Sequence, residues 1–189
     1  PRSTLFPYTT LFRSELLDES SAPGTGFLRE VSLAWEAEAN AASELGIRVV
    51  TTRTGVVLHP GGGALAKMLL PFKLGLGGPL GSGRQWMPWV HLDDQIALTL
   101  FALDTPSLAG PVNAVAPNPA TNAEFVRALG RALGRPAFMP APAFALKLAL
   151  GEMSQMVLSS QRVVPRALEQ AGYEFRYMKL ADALAALYL

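Results

Sequence analysis

The sequence of 189 residues contains no cysteine, and this absence excludes several kinds of chemistry. Without a thiol the chain forms no disulfide, no thiolate nucleophile and no cysteine-ligated zinc site. Histidine is also scarce: the two histidines, His59 and His91, are widely separated, which argues against a histidine-based metal site. We therefore expect no metal. Because disulfides mark oxidising compartments, we expect a cytoplasmic protein.

Charge and long apolar runs are scarce as well. The 16 basic and 15 acidic residues nearly balance, and charged residues make up only 16% of the chain. This composition leaves no basic stripe of the kind that binds nucleic acid. No apolar run reaches the roughly 18 residues of a membrane helix, since Pro140 and Pro142 interrupt the most apolar segment, 137–150. We expect neither a nucleic-acid nor a membrane partner.

From Glu15 to Arg135, helix and strand patterns alternate along the chain. Apolar residues at helical spacing, β-branched runs, glycine stops and one capping box set the boundaries. The pattern predicts a helix over 27–45, a buried strand over 47–52, a helix over 64–74, a helix ending near 103, a strand over 111–115 and a helix over 121–133. Such alternation is the signature of an α/β domain.

After Arg135 the pattern becomes helical. Three prolines interrupt residues 136–142, and helices are then predicted over 144–156, between Pro165 and Gly172, and over 180–187. We therefore divide the chain into an α/β domain, 15–135, and a small helical domain, 136–189.

Residues 4–14, TLFPYTTLFRS, fit neither helical nor strand periodicity and repeat Thr-Leu-Phe. The string resembles the one-frame translation of a short-read sequencing adapter. We expect residues 1–14 to be a non-native artefact, with native sequence beginning near Glu15 and an upstream part missing. The alternative is an ordinary disordered N-terminus.

Residues 77–94, GGPLGSGRQWMPWVHLDD, combine four glycines with Arg84, two tryptophans and an acidic pair. Glycine lets the backbone approach a ligand closely, and the guanidinium of Arg84 suits a phosphate or carboxylate. A ligand-facing loop and a tight structural turn both fit this part of the chain. Asp93 and Asp94 precede an apolar run, which predicts that one of them caps the next helix.

Several motifs together resemble one family, the atypical extended short-chain dehydrogenase/reductases of the NAD(P)-dependent epimerase type. The family's members carry a C-terminal helical domain of unknown function, and some are catalogued as cell-division-inhibitor-like. The resembling motifs are WEAEA (35–39), RTGVVL (53–58), the stretch 62–94, GPVNAVAPNP (110–119) and RP-x-F-x-P-x-PAFALKLALGEM (135–153). The resemblance implies the C-terminal portion of a doubly wound, Rossmann-like parallel sheet followed by a helical tail.

The resemblance also implies NADP as the cofactor. Strand ends in such sheets face the ligand crevice, so the end of the RTGVVL strand should lie beside the nicotinamide. The cofactor-binding residues predicted in this way are Arg53, Thr54, Gly55 and Val56.

The substrate side is predicted from the tryptophans and the central stretch. The substrate-binding residues are Trp35, Arg84, Gln85, Trp86 and Trp89. For Trp35 the other interpretation is a core residue, with Glu36 solvated beside it.

No catalytic residue is predicted. The tyrosine and lysine that the resembled superfamily uses as acid and base fall at Val31 and Trp35 here, and the glycine-rich pyrophosphate turn is absent from the sequence. We expect a fragment of a nicotinamide-cofactor-dependent epimerase or oxidoreductase acting on an unknown small polar substrate. The alternative is a non-catalytic NADP-binding sensor or regulatory protein.

Overall fold

The computed structural model describes residues 15–24, 26–151, 154 and 158–188. The predictions for residues 1–14, and for most of residues 152–157 in the tail, lie outside these described residues. The helices are α1 Phe27–Ala41, α2 Gly63–Lys73, α3 Leu92–Asp104, α4 Asn122–Leu133, α5 Ala143–Leu150, α6 Arg166–Gln170 and α7 Leu180–Ala186. The strands are β1 Leu16–Leu17, β2 Val50–Thr54, β3 Val56–Leu58, β4 Trp86–Met87, β5 Trp89–His91, β6 Gly110–Ala114, β7 Ala120–Thr121 and β8 Arg162–Val163.

Parallel strand pairs form the centre of the α/β part. Strand β2 pairs with β6 along five residues, from Val50 beside Gly110 to Thr54 beside Ala114. Strand β3 pairs with β5, also in parallel, and Gly55 alone separates β2 from β3. A Cβ at residue 55 would lie 2.8 Å from the carbonyl oxygen of Pro88, so this close backbone approach requires glycine.

Local sequence signals set the helix ends where the sequence predicts them. The 3-10 turn Ala42–Leu45 continues α1, and Gly46 ends it in the left-handed conformation, with φ of 75°. Thr121 and Glu124 form the predicted capping box, in which each side chain accepts from a backbone N–H of the other residue. These two predictions are confirmed.

Two apolar clusters form the core. One joins α2, α4 and α7 to the β3–β5 pair, with Phe125 and Leu129 fully buried. The other joins α3 and α6 to β6 through Leu98, Val112 and Leu168. Each such side chain contributes about 1.5–3 kcal/mol when fully buried. The helical tail therefore completes the core, since α7 lies against α4 and α6 against β6.

Helix α1 departs from the prediction. Its apolar face was expected to pack, yet none of its 15 residues is buried, and Trp35 is 72% exposed. The interpretation of Trp35 as a core residue is therefore wrong for this structure. The strand predicted as buried, 47–52, begins three residues later and is only partly buried. Both differences have one cause: among the described residues β2 pairs with β6 alone, and no element covers the far side of β2 and α1.

The helical tail is anchored at the start of α3 by a buried carboxylate. Oδ1 of Asp94 accepts from the Arg176 N–H at 2.8 Å and from the Tyr173 hydroxyl at 3.3 Å. Its Oδ2 accepts from the Tyr177 N–H at 2.9 Å. Asp94 is only 2% exposed, so these bonds replace the water that would otherwise solvate its charge.

The predicted capping of α3 by an aspartate is wrong. The N-cap is His91, whose Nδ1 accepts from the Asp93 N–H at 3.1 Å. Asp93 and Asp94 lie inside the first turn of α3, one and two residues after its first residue, so neither occupies the cap position. The His91 ring also stacks on Tyr177, with ring centroids 3.9 Å apart.

The described part of the chain holds no helix with the length and apolarity of a membrane span. The same residues contain no group of three or more histidine, aspartate or glutamate side chains placed to hold a metal ion.

Candidate functional site

A groove runs between α1 and β2 and has a volume of about 480 Å³. Its walls are apolar side chains of the helix and consecutive residues of the strand. The lining residues are Leu28, Val31, Ser32, Trp35, Glu36, Ala39, Thr51, Thr52, Arg53 and Thr54. The groove includes the carboxyl end of β2, the edge at which open parallel sheets bind ligands. A depression of equal volume between α4 and α7 is lined by helix residues alone.

An ion pair joins the two walls of the groove. Arg53 donates through Nε to Glu36 Oε1 at 2.6 Å and through Nη2 to Glu36 Oε2 at 2.7 Å. The Arg53 and Glu36 side chains are only 12% and 20% exposed. This bidentate geometry fixes the plane of the guanidinium and offsets its charge. The interpretation of Glu36 as a solvated residue is therefore wrong.

Two of the four predicted cofactor-binding residues line the groove, and the other two do not. Arg53 and Thr54 line the groove together with Trp35. Gly55 is held against Pro88, whose carbonyl accepts from the Val56 N–H at 2.8 Å. Arg53 and Thr54 therefore present side chains to the groove, whereas Gly55 and Val56 shape the turn that follows.

Two of the predicted substrate-binding side chains point inward. Gln85 is buried, and its amide Nε2 donates to the Leu80 carbonyl at 2.9 Å. Trp89 is buried in the core, and its indole Nε1 donates to the Asn118 carbonyl at 3.2 Å. Both residues hold the central stretch in shape in this structure.

Arg84 and Trp86 are the other two predicted substrate-binding residues of that stretch. Gln85 between them lies in a bend, and β4 begins only at Trp86. Arg84 is exposed, and Trp86 is partly buried beneath the guanidinium of Arg162, whose central carbon lies 4.8 Å from the ring centroid. Neither residue lines the groove beside β2.

Among the described residues, the lining of the groove includes neither a tyrosine nor a lysine. Val31 and Trp35, where the sequence predicts the positions of the superfamily's tyrosine and lysine to fall, both line it and carry no titratable group. The described tyrosines lie in the tail, where Tyr173 is bonded to Asp94. Burial, and then the adjacent Asp94 carboxylate, raise the pKa of Tyr173 well above its ordinary value.

His91 is the last residue of β5 and has a structural role as the N-cap of α3. Burial lowers the pKa of His91, and the nearby carboxylate of Asp93 opposes this effect in part. The neutral ring suits the N-cap, because Nδ1 accepts a hydrogen bond only when it carries no proton.

Comparison with known proteins identifies the family to which the chain is related. A family model described as a domain of unknown function, DUF1731, matches residues 141–187. An epimerase family protein of Mycobacterium tuberculosis is 44% identical over 173 residues, which are 91% of this chain and 58% of that protein. The mouse epimerase family protein SDR39U1 is 47% identical over 169 residues, 88% of this chain and 57% of the mouse protein. The chain belongs to the epimerase family of extended short-chain dehydrogenase/reductases.

The fold of an epimerase-family relative agrees with this assignment. The crystal structure of human SDR39U1 with NADPH superposes with a TM-score of 0.85 at 41% identity, over 93% of this chain and 60% of the human chain. The predicted Rossmann-like α/β class with a helical tail is confirmed. The chain spans less than two thirds of the length of these relatives. The match to the domain of unknown function lies inside the predicted helical domain, 136–189. That domain boundary stays a prediction.

Proposed function

We propose that this protein functions as an NADP-dependent epimerase or oxidoreductase on a small polar substrate, with this chain carrying the nicotinamide side of the site. One observation carries the proposal. The groove at the carboxyl end of β2 brings together Arg53, Thr54 and Trp35 in a chain that is 41% identical to a human protein crystallised with NADPH.

The groove suits the nicotinamide half of the cofactor. Its volume, apolar helix wall and threonine-lined strand wall match the usual form of a small-ligand site, which is mostly apolar with a few placed polar groups. The two hydrogen bonds that Arg53 donates to Glu36 hold its guanidinium in one orientation, so the planar face of that group forms a fixed part of the wall. When bound, the cofactor supplies hydride transfer; the residues of this chain bind the ring, orient it and exclude water from one side.

The substrate side of the proposal rests on Arg84 and Trp86. Arg84 is exposed, and residues 77–92 around it contain no acidic side chain, so its charge is available to an anionic or strongly polar group. Trp86, two residues further along the chain, supplies a partly exposed apolar surface.

Binding of reduced nicotinamide mononucleotide, the nicotinamide half alone, tests the proposal on this chain. We expect weak, saturable binding in the millimolar range, because the chain lacks the glycine-rich turn that holds pyrophosphate. NADPH should bind no more than about tenfold more tightly than the mononucleotide, for the same reason. The shifted backbone amides should be those of residues 53–56.

Two variants make the test specific. Thr54→Val should weaken mononucleotide binding, since it removes a hydroxyl from the groove while keeping the shape of the side chain. Arg127→Gln, in the depression between α4 and α7, is the matched control and should have no effect. Amide shifts confined to residues 124–132, with binding sensitive to Arg127, would place the nucleotide elsewhere and overturn the proposal.

A further inference from the structure

Residues 176–179, which we call the strap segment, lie inside the region matched by the domain of unknown function. The Arg176 and Tyr177 N–H groups donate to the carboxylate of Asp94 at 2.8 and 2.9 Å. The Tyr177 ring lies against the ring of His91, with the two centroids 3.9 Å apart. The strap segment is therefore attached to the end of β5 and the start of α3 through a carboxylate and a histidine ring.

His91 makes its contacts as a neutral ring. Its Nδ1 accepts from the Asp93 N–H at 3.1 Å, so the proton of the ring lies on Nε2. That Nε2 is buried and has no hydrogen-bond partner among the described residues. A second proton would place a donor at Nδ1 against the Asp93 N–H, and a positive charge at the N-terminus of α3, where the helix dipole is also positive. Protonation of His91 therefore opposes the attached arrangement.

Four charged or titratable side chains interact electrostatically with His91, from α3, from the strap segment and from the loop after β3: Asp93, Asp94, Arg176 and His59. The two carboxylates favour the protonated ring, whereas the arginine and the second histidine oppose it. Burial is the largest effect, and it lowers the pKa of His91. Release of the strap segment takes the Tyr177 ring away and returns His91 to water, so the released form binds the proton more tightly.

The strap segment lies between two parts of the tail that are held without His91. On one side the Phe175 ring packs edge-on against Tyr173, with the centroids 4.8 Å apart. On the other side Leu180 and Leu184 of α7 are buried against α4. Three of the four residues of the strap segment are exposed. Release therefore requires only these four residues to move, while the helices on both sides stay in the core.

We infer that His91 and Tyr177 form a pH-sensitive latch, which holds the strap segment at neutral pH and releases it on acidification. On release the His91 ring takes one proton from solvent and the strap N–H groups leave Asp94. The exposed Asn118 amide, which donates to the Met178 carbonyl at 2.9 Å, exchanges that bond for water. The latch contains no lining residue of the groove beside β2, so the inference is independent of the proposed function.

Hydrogen exchange of the Arg176 and Tyr177 amides, followed by nuclear magnetic resonance and corrected for the intrinsic rate, tests the inference. Release takes up one proton, so the protection of both amides should fall about tenfold per pH unit from about pH 6.5 down to the lowered pKa of His91. Measurement above about pH 5 keeps the carboxylates ionised. Because so short a segment exposes little surface, this exchange should be insensitive to low urea, whereas exchange of the β2–β6 amides through unfolding should be sensitive.

Three variants identify the group that titrates. His91→Asn keeps an acceptor at the N-cap and should abolish the pH dependence of strap exchange. His59→Gln, at the other histidine of the chain, is the matched control and should leave that dependence unchanged. Tyr177→Leu removes the aromatic ring that lies against His91, and it should raise the pKa of His91 toward its ordinary value in a titration of the histidine ring protons.

Several outcomes would overturn the inference. Protection of the Arg176 and Tyr177 amides equal to that of the β2–β6 amides, with the same urea dependence, would show that the strap segment opens only when the whole chain unfolds. Persistence of the pH dependence in His91→Asn, or its loss in His59→Gln, would assign the proton to another group. An unchanged pKa of His91 in Tyr177→Leu would show that the strap segment does not control the protonation of the ring.

Discussion

Replacing Asp94 by asparagine tests how the helical tail is attached to the α/β part. The carboxylate accepts from two backbone N–H groups at 2.8 and 2.9 Å and from the Tyr173 hydroxyl at 3.3 Å. Asparagine keeps one acceptor oxygen and turns an NH₂ group toward a backbone N–H that needs an acceptor. One charge-assisted bond is therefore lost outright, and the remaining ones become neutral.

The expected cost follows from these contacts. A hydrogen bond to a charged group contributes about 1.5–3 kcal/mol. Asp94 also lies in the first turn of α3, where a negative charge adds about 0.3–1 kcal/mol. We expect Asp94→Asn to lower the free energy of unfolding by about 3 kcal/mol in urea denaturation at neutral pH. Hydrogen exchange should accelerate at the amides of Arg176 and Tyr177.

Asp93→Asn provides the matched control. Asp93 is 48% exposed and pairs with an exposed Arg176 at 3.3 Å, and such surface pairs contribute about 0–1 kcal/mol. Equal losses for the two variants, or a loss for Asp94→Asn below about 1 kcal/mol, would refute the attachment of the tail through Asp94.

Three further predictions concern pH, the groove and association. Burial lowers the pKa of His91 below its ordinary value of 6.5, so the unfolded chain binds the proton more tightly than the folded chain. The stability contributed by the neutral ring should therefore be complete above about pH 6.5 and fall as the pH drops through the folded pKa. His91→Asn, which keeps an acceptor at the cap, should lose this part of the pH dependence in urea titrations. Glu36→Gln should destabilise the protein by about 2 kcal/mol because it removes the carboxylate that binds the partly buried Arg53 in bidentate geometry. The double variant Glu36→Leu/Arg53→Met should recover much of that loss, and a double variant less stable than the single one would contradict this reasoning. The uncovered edge of β2 and the exposed face of α1 should make residues 15–189 associate in size-exclusion chromatography, whereas a monodisperse monomer that melts cooperatively above about 60 °C would show that this surface needs no cover.

The sequence predicts those features that depend on neighbouring residues. Gly46 ends a helix because only glycine takes the left-handed conformation easily, and Thr121 with Glu124 caps one because the two residues are three apart. The parallel class of the sheet follows from the alternation of strands and helices. Each of these signals is contained in a short window.

Contacts between segments that are far apart in the sequence cannot be predicted from such short-range patterns. Glu36 and Arg53 are 17 residues apart, and Asp94 and Arg176 are 82 apart, so no periodicity connects them. An acidic residue after a strand predicts a helix cap on statistical grounds. The tail residues that bind Asp94 in the structure lie far from it in the sequence, so this local pattern cannot reveal them. The sequence likewise predicts Trp89 on the substrate side, whereas the strand that carries it is buried at every position.

The packing of α1 shows a different limit. Its apolar spacing correctly predicts a helix, but a helical pattern states only that one face is apolar, not that a neighbour covers it. The helical pattern therefore allows the interpretation of Trp35 as a core residue, although its side chain is mostly exposed in the structure.

Nuclear Overhauser effects between the ring protons of bound, reduced nicotinamide mononucleotide and the side chains of this chain test the central claim most directly. The account predicts contacts to the Thr54 methyl group and to the indole of Trp35, which line the groove at the carboxyl end of β2. Contacts instead to the alanines between α4 and α7, with none to Thr54, would contradict the placement of the nicotinamide site.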